Sequence, residues 1–436
     1  MSRPELIQLE KKLFDNTLFS DFISPLTESF EKIRYNPKIY HTLSMPLFAA
    51  LGCLRHIQGN VILREFIQSL YHLTDEARLP LPRSTISDAL SSKKRQTDLE
   101  STLSQLYLSA RNTLPNRLKD IPGLNGRQVY AVDGTYQKES SHFKKKTPKQ
   151  GGNDNPTGHC ILSLFNVSLG IPVSGSIETS SAHEITVMRD YAKHKESLFN
   201  LRHALWVVDR GFTATPFWDE QKKKRKTEVI MRHKENMTIV MEEDKEISEC
   251  DVNTGVLSDK TVTLNASKDI WRLVTYQTPE GSEYSYLTNN FDLEPGVIAF
   301  LYLRRWDEEK SFDPWKNDFA QKKAWGKSKA AIQNQTTLAV ITSILVALFE
   351  HKNLDKWGMR DEKVLKKKSI ETMKIKKQDE NKKLHEIKST RWFHETYTAV
   401  AKTSKQIFRF LKGCFMKKAS KLLYDLQLKP LYERYL

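Results

Sequence analysis

Cysteine is scarce in this 436-residue sequence, which contains only Cys53, Cys160, Cys250 and Cys414. These positions lie far apart and include no CxxC pair, so they indicate neither a dense disulfide framework nor a zinc-binding motif. The pattern fits reduced thiols in a cytosolic protein.

Long apolar runs are also missing. The longest, Thr337 to Phe349, is too short to span a bilayer and predicts a buried helix. The N-terminal residues carry scattered charges and no apolar stretch, so we expect no signal peptide. A membrane is therefore not the expected partner.

Acidic residues are outnumbered. The chain has 69 lysines and arginines against 53 acidic residues, which gives a net charge of +16. A field of this sign favours a polyanionic partner, and with a membrane set aside nucleic acid is the better candidate. The hydrophobic fraction of 39% is that of a folded protein, long enough for about two or three domains.

Residues 1–125 show helical periodicity. Within them, the stretch Pro80 to Leu90 predicts a short helix that Ser84 or Thr85 caps. Such a helix could enter a DNA major groove while nearby basic side chains hold phosphates. An ordinary capped helix in a bundle explains the pattern equally well. The candidate DNA-binding residues here are Arg83, Ser84, Thr85, Lys93, Lys94 and Arg95.

From about residue 126 the pattern becomes mixed α/β. A β-rich run from Val129 ends on Asp133, and a later apolar run, 204–208, ends at Asp209. Further strands are predicted at 159–169, 171–177 and 228–231, with a helix at 213–224. The order predicts a mixed sheet with carboxylates at the ends of its first and fourth strands. Taken singly, each aspartate could equally belong to an ordinary turn.

Residues 234–295 contain four short strand-like runs, at 238–241, 261–264, 271–276 and 284–287, separated by turn signals. They predict a β-rich insertion. Residues 351–436 are lysine-rich and helical, and there contact with DNA and contact with protein are both open. The predicted units are 1–125, 126–233, 234–295, 296–350 and 351–436.

The stretch after residue 300 carries a polar stripe. At 100° per residue, Tyr302, Arg305, Glu309 and Lys316 share a helical stripe about 60° wide. A charged, solvated helix face is the alternative. Pro314 interrupts the predicted helix and could displace Lys316.

Three carboxylates from one sheet and one following helix suit Mg²⁺, which takes few carboxylates and completes its shell with water and substrate phosphates. Two such ions can promote in-line displacement at a phosphodiester. Asp133, Asp209 and Glu309 are the candidate ligands. Glu308 and Asp313 are rival carboxylates to Glu309.

Three motifs carry a resemblance to a known family. They are Val132-Asp133-Gly134-Thr135, the run from Val208 to Phe212, and Tyr302-x2-Arg305-x3-Glu309-x6-Lys316. Together they resemble the catalytic regions of DDE transposases of insertion-sequence family four, over residues 126–350. The resemblance implies an RNase H-like core with a β-rich insertion between the second aspartate and the glutamate.

The resemblance implies an enzyme that cleaves transposon ends by hydrolysis and joins the freed 3′-OH to target DNA. Asp133, Asp209 and Glu309 would hold two Mg²⁺ ions, for which Mn²⁺ can substitute. Phosphates near the cut would be contacted by Tyr302, Arg305 and Lys316. Arg210 would add a contact or pair with a neighbouring carboxylate.

The family commonly releases its elements through hairpin ends, with an aromatic side chain of the insertion holding a flipped base. Trp271 is the candidate for that role, and core packing is its alternative. The expected partners are double-stranded DNA and a second copy of the chain on paired ends, in the cytoplasm at the bacterial nucleoid. Other possibilities are an RNase H-like nuclease without strand transfer and a catalytically silent DNA-binding protein derived from a transposase.

Overall fold

A mixed sheet of nine strands passes through the described part of the protein and places the candidate residues. The computed structural model describes residues 3–33, 35–40, 42–59, 62–70, 81–124, 126–138, 158–179, 202–278, 281–305 and 323–356, with isolated positions between 185 and 193 and at 411. The predicted mixed α/β class is confirmed.

The strands follow one another in the order β3-β2-β1-β4-β5-β9-β8-β7-β6 across the sheet. β2 lies antiparallel between β1 and β3, whereas β4 and β5 run parallel to β1. The strands are β1 (Val129–Lys138), β2 (Gly158–Asn166), β3 (Ile171–Thr179), β4 (Leu205–Val208), β5 (Glu228–Arg232), β6 (Ile239–Asp244), β7 (Val256–Leu264), β8 (Ile270–Gln277) and β9 (Glu283–Thr288).

The four strand-like runs predicted within 234–295 are all strands, β6 to β9. Each pairs antiparallel with the next, and β9 pairs antiparallel with β5. Strands β6 to β9 therefore extend the sheet of the preceding strands and do not form a second sheet.

The helices of the described part are α1 (Arg3–Asp15), α2 (Thr17–Lys32), α3 (Met45–Gln58), α4 (Leu63–Ser69), α5 (Arg83–Leu90), α6 (Lys93–Thr113), α7 (Thr215–Arg225), α8 (Pro295–Arg304) and α9 (Lys329–Lys356). Helix α2 shows why they form. The Asn16 side chain accepts a hydrogen bond from the backbone N–H of Phe19 at 3.0 Å, and Phe19, Phe22 and Phe30 share its buried face.

Helix α9 includes the run 337–349 that was predicted to be a buried helix, and the prediction is confirmed. By length and composition α9 could cross a membrane, but 89% of its most apolar window is buried inside the protein. It packs on α2, α3 and α6 and against β3. One apolar core thus joins the N-terminal helices, α9 and one face of the sheet.

The sheet has two apolar faces because side chains alternate along each strand. Tyr130, Val132 and Val208 belong to the core shared with α9. Ala131 and Val207 belong to a second core, on the opposite face, which α8 covers.

Candidate active site

Two aspartates lie side by side where strands β1 and β4 run parallel. Val132 of β1 is in register with Val208 of β4, and each is followed by an aspartate, Asp133 and Asp209. Neighbouring strands are about 4.8 Å apart, so the two carboxylates are neighbours. The structure therefore brings together the first two of the three predicted ligands.

Both aspartates face helix α8. Alternation puts Asp133 on the same side as Ala131, and Asp209 on the same side as Val207. Those two apolar residues pack in the core that α8 covers. The carboxylates therefore project towards the helix that carries Tyr302.

One detail of the sequence prediction is wrong. The first strand does not end at Asp133 but continues to Lys138, because β2 pairs with β1 as far as Gly158. Only β4 stops there, since Arg210–Phe212 forms a single 3-10 turn directly after Asp209. Asp133 is thus level with the end of β4 although its own strand runs on.

Two side chains at the C-terminal end of α8, one of them from its C-cap residue, lie beside these carboxylates. The Tyr302 hydroxyl donates to Oδ1 of Asp209 at 3.4 Å, and Nη1 of Arg305 lies 3.9 Å from Oδ2 of Asp133. Tyr302 is 6% exposed and Arg305 is 4% exposed. The two residues are three apart, so they share one face at the end of the helix.

Burial, and after it the charge of Asp209, raises the pKa of Tyr302 to about 12. The phenol therefore keeps its proton at neutral pH and acts as a donor. Its ring packs on Tyr286 of β9, with centroids 4.8 Å apart.

Arg232 lies level with the two aspartates across the sheet, and the sequence analysis did not predict it as a site residue. Met231 of β5 is in register with Val208, so Arg232 stands level with Asp209 on the same face. Its guanidinium lies 4.7 Å from the ring centroid of Tyr284. The signal was present, because β5 is an apolar strand that ends on a charged residue, as β4 ends before Asp209.

Ser163 of β2 pairs directly with Asp133 from the other side. It is 1% exposed, and its hydroxyl has no hydrogen-bond partner within the described residues. Paired residues of neighbouring strands point to the same face, so this hydroxyl is a further polar group beside Asp133.

The remaining predicted residues of the stripe, Glu309 and Lys316, lie outside the described residues, as do Glu308 and Asp313. Within the ranges that the structure describes, no group of three His, Cys, Asp or Glu side chains could hold a metal ion. Arg210, which follows Asp209, is exposed.

Trp271 lies in β8 with no exposed surface. Its indole N–H donates to Asp219 at 3.1 Å and to the Ser267 hydroxyl at 2.8 Å. This placement matches the alternative of core packing, because the enclosed ring has no open face on which a base could stack.

The N-terminal candidates divide into surface and buried groups. Arg83 and Ser84 are exposed in the first turn of α5, and Lys93 and Lys94 in the first turn of α6. The predicted cap is wrong, because Pro82 precedes the first residue of α5 and no side chain caps it.

Arg95 does not share that surface. It is buried, donates to the backbone oxygen of Leu43 and lies 4.3 Å from the ring centroid of Tyr40. Its burial does not fit the predicted contact with DNA phosphates at the surface. Through these contacts Arg95, which lies in α6, holds the segment before α3 against that helix.

A family comparison covers the region that holds these residues. Residues 124–345, just over half of the chain, match the family model described as "Transposase DDE domain". The chain therefore belongs to the family of transposases with a DDE domain.

Among solved structures, the chain is similar to a cryo-EM structure of the piggyBac transposase synaptic complex with hairpin DNA. The identity is 12%, the TM-score is 0.40, and the match covers 99% of this chain and 84% of the other. No curated protein matches the sequence significantly.

Proposed function

We propose that this protein is a cut-and-paste DNA transposase that binds transposon ends, cleaves them by metal-dependent hydrolysis and joins the 3′-OH ends to target DNA. The family supports a transposase. The observation that carries the chemistry is the pair Asp133 and Asp209, side by side and contacted by Arg305 and Tyr302. The strand order β3-β2-β1-β4-β5, with β4 and β5 parallel to β1, supports an RNase H-like core.

The donor set fits Mg²⁺. Two neighbouring carboxylates repel each other unless a cation lies close to them, and they offer the hard oxygen ligands that Mg²⁺ prefers. Asp133, Asp209 and Glu309 would hold the metal, with Mn²⁺ able to replace it. When bound, two such ions activate the attacking oxygen and stabilise the leaving oxygen of a phosphodiester displacement.

The other side chains would position the DNA. Tyr302 keeps its proton and can donate to a phosphate oxygen. The planar guanidinium of Arg305 can bind a phosphate through two nitrogens. We propose Arg232 as a further phosphate contact because it lies level with Asp209 on the same face of the sheet. Arg210 and Lys316 are proposed because of the resemblance.

Insertion-sequence family four, a homodimer on paired ends and hairpin intermediates complete the proposal. They rest on the resemblance stated above. Because Trp271 is enclosed, a different aromatic side chain would hold the flipped base of a hairpin.

The test is a Mg²⁺-dependent cleavage and strand-transfer assay on DNA that carries the two ends of the element. Asp133→Ala, Asp209→Ala and Glu309→Ala should each abolish cutting while binding to the ends survives, because binding does not need the metal ligands. Asp244→Ala, at an exposed aspartate of β6, is the matched control and should cut normally. Cutting that persists in one of the three variants would remove that residue from the ligand set.

The same assay separates the alternatives. Cleavage without joining of the 3′-OH would identify a nuclease. Specific end binding without cleavage by the unaltered protein, in Mg²⁺ and in Mn²⁺, would identify a silent DNA-binding protein.

A further inference from the structure

Arg55, near the C-terminal end of α3, is a buried cation far along the chain from the candidate active site. It is 7% exposed, and its guanidinium carbon lies 4.1 Å from the ring centroid of Trp325. Burial lowers the pKa of Arg55 to about 9, so the side chain is still charged at neutral pH. A charge withdrawn from water in this way calls for an anionic partner.

The described residues provide no anion for it. Among them, the Arg55 side chain has no hydrogen bond and no ion pair, and its Nε is enclosed without a partner. The two terminal nitrogens are not among the enclosed atoms without a partner. The guanidinium therefore lies over an indole ring with two donors that a ligand could use.

The neighbouring His56 does not compete for that ligand. Its ring also stacks on Trp325, at 4.5 Å, and Nε2 contacts the backbone oxygen of Gln335 at 3.0 Å. Burial lowers the pKa of His56 to about 3, so the ring is neutral.

Hydrogen bonds to Gln335 hold the segment that carries Trp325 in place. Its backbone N–H donates to the side-chain oxygen of Gln335 at 2.7 Å, and the amide nitrogen of Gln335 donates to the backbone oxygen of Lys323 at 3.0 Å. Gln335 thereby fastens this segment to α9. Lys323 and Lys327, each two residues from Trp325, are exposed and add positive charge beside it.

We propose that Arg55, lying over the Trp325 ring and flanked by Lys323 and Lys327, binds a backbone phosphate of DNA. The planar guanidinium carries its donors in a fixed fork that matches phosphate oxygens. The net charge of +16 supports a nucleic acid as the source of the phosphate. The contact lies between an N-terminal helix and the segment before α9, outside the candidate active site. It rests on the proposed function only in taking DNA as the partner.

The test measures binding of duplex DNA from the element's ends at a series of salt concentrations, in EDTA so that no cutting occurs. Arg55→Gln should weaken binding about tenfold and lower the slope of log K against log salt by about one, the effect of losing one phosphate contact. Trp325→Leu should weaken binding as well, and the double variant should bind no worse than Arg55→Gln. An unchanged slope in Arg55→Gln would overturn the proposal.

Arg64→Gln is the matched control, since it removes the same charge from an exposed position on α4. It should change binding much less than Arg55→Gln does. Equal losses in the two variants would show a general charge effect and would also overturn the proposal.

Thermal unfolding separates this role from a structural one. If Arg55 binds phosphate, Arg55→Gln without DNA should melt at the same or a higher temperature, because an uncompensated buried charge is gone. A lower melting temperature with an unchanged salt slope would indicate a structural arginine. If the glutamine variant fails to fold, Arg55→Lys decides, since it keeps the charge and loses the planar fork. The lysine variant should bind several-fold more weakly, and unchanged affinity would refute the phosphate contact.

The outcome is distinguishable from failure of the proposed chemistry. Binding in EDTA requires neither metal nor Asp133, so a protein that cannot cut can still show the Arg55 effect.

Discussion

Arg305 is a buried charge beside the candidate carboxylates, with 4% of its surface exposed. At 3.9 Å its Nη1 is too far from Asp133 for a hydrogen bond, so the contact is an ion pair. In the proposed function, the same guanidinium binds a phosphate beside the aspartates.

Arg305→Lys should lower the cleavage rate by about a hundredfold, the loss typical when one positioned donor is removed. Lysine keeps the charge but cannot form the planar, two-nitrogen contact. Single-turnover cleavage measures the effect. End binding should stay within about threefold, because one phosphate contact among several is altered and its charge is kept.

Tyr302→Phe tests the neighbouring hydroxyl. It should slow cleavage by about tenfold and change the free energy of unfolding by about 1 kcal/mol or less, since the hydrogen bond is long and the ring still packs on Tyr286. Tyr35→Phe, in the N-terminal region, is the control. Cleavage at the normal rate in Tyr302→Phe would show that the hydroxyl does not act on the DNA.

For single residues, the sequence predicted Asp133 and Asp209 as site residues because an apolar run before a carboxylate is a local pattern. Arg232 and Ser163 escaped prediction because their position beside the aspartates depends on strand order and register, which are set by pairing between distant segments.

Helix α8 is the element that positions the site, and residues near β7 and β8 hold its first turn in place. The Asn253 side chain donates to Glu294 at 2.8 Å and accepts from the backbone N–H of Gly296 at 3.0 Å. Arg272, paired with the buried Asp259, donates to the backbone oxygen of Leu293 at 2.6 Å. Asn253 and Arg272 thus help to set where Tyr302 and Arg305 lie, at the other end of α8.

Gly296→Ala should disturb this arrangement. A Cβ at that position would lie 1.8 Å from the backbone oxygen of Val252, so α8 must shift. We expect the free energy of unfolding to fall by about 1–3 kcal/mol, as in other overpacked sites. Cleavage should fall with it. Denaturant unfolding and the cleavage assay measure the two effects.

Gly281→Ala is the control for this substitution. Its Cβ would meet nothing within 4 Å, and the cost there comes only from the positive φ of 86°. It should destabilise the protein without slowing cleavage of the folded fraction. If Gly296→Ala cuts at the normal rate, the start of α8 does not control the site.

Elements were predicted better than their arrangement. Short strand-like runs separated by turn signals predicted the four strands β6 to β9, because both signals are local in the sequence. That they extend the main sheet could not be predicted, since it depends on the free edge of β5 and its pairing with β9. The helix predicted across 302–316 coincides at Tyr302 to Arg304 with the last residues of α8, and from residue 306 onward it lies outside the described residues. That α8 begins at Pro295 was not predicted, because the residues before Tyr302 carry no polar stripe.

At the scale of the whole molecule, the N-terminal helices and the sheet share one core with α9. The predicted boundary at residue 125 stays a prediction, but no separate apolar core distinguishes residues 1–125 among those described. Gly52 of α3 shows how closely the two parts approach, because a Cβ there would lie 2.5 Å from Leu338 of α9.

A variant that lacks residues 1–125 should therefore fail to fold, since α9 would expose the apolar face that α2, α3 and α6 cover. Calorimetry of the full chain should show one dominant transition that includes both parts. The truncated protein should lack a cooperative transition and aggregate. A soluble truncated protein that still melts cooperatively would show that the sheet and α9 are stable by themselves.

The late position of α9 in the sequence also determines when the N-terminal helices can pack during synthesis. His56 meets Gln335 across 279 residues of chain, and Leu90 meets Asn334 across 244. Contacts of such separation form slowly, because the chain between them must first be closed into a loop. The first helices thus leave the ribosome long before their partner has been translated, and their apolar faces stay uncovered while the whole sheet is made. The nascent chain is most exposed to aggregation in that interval, which ends only when α9 emerges.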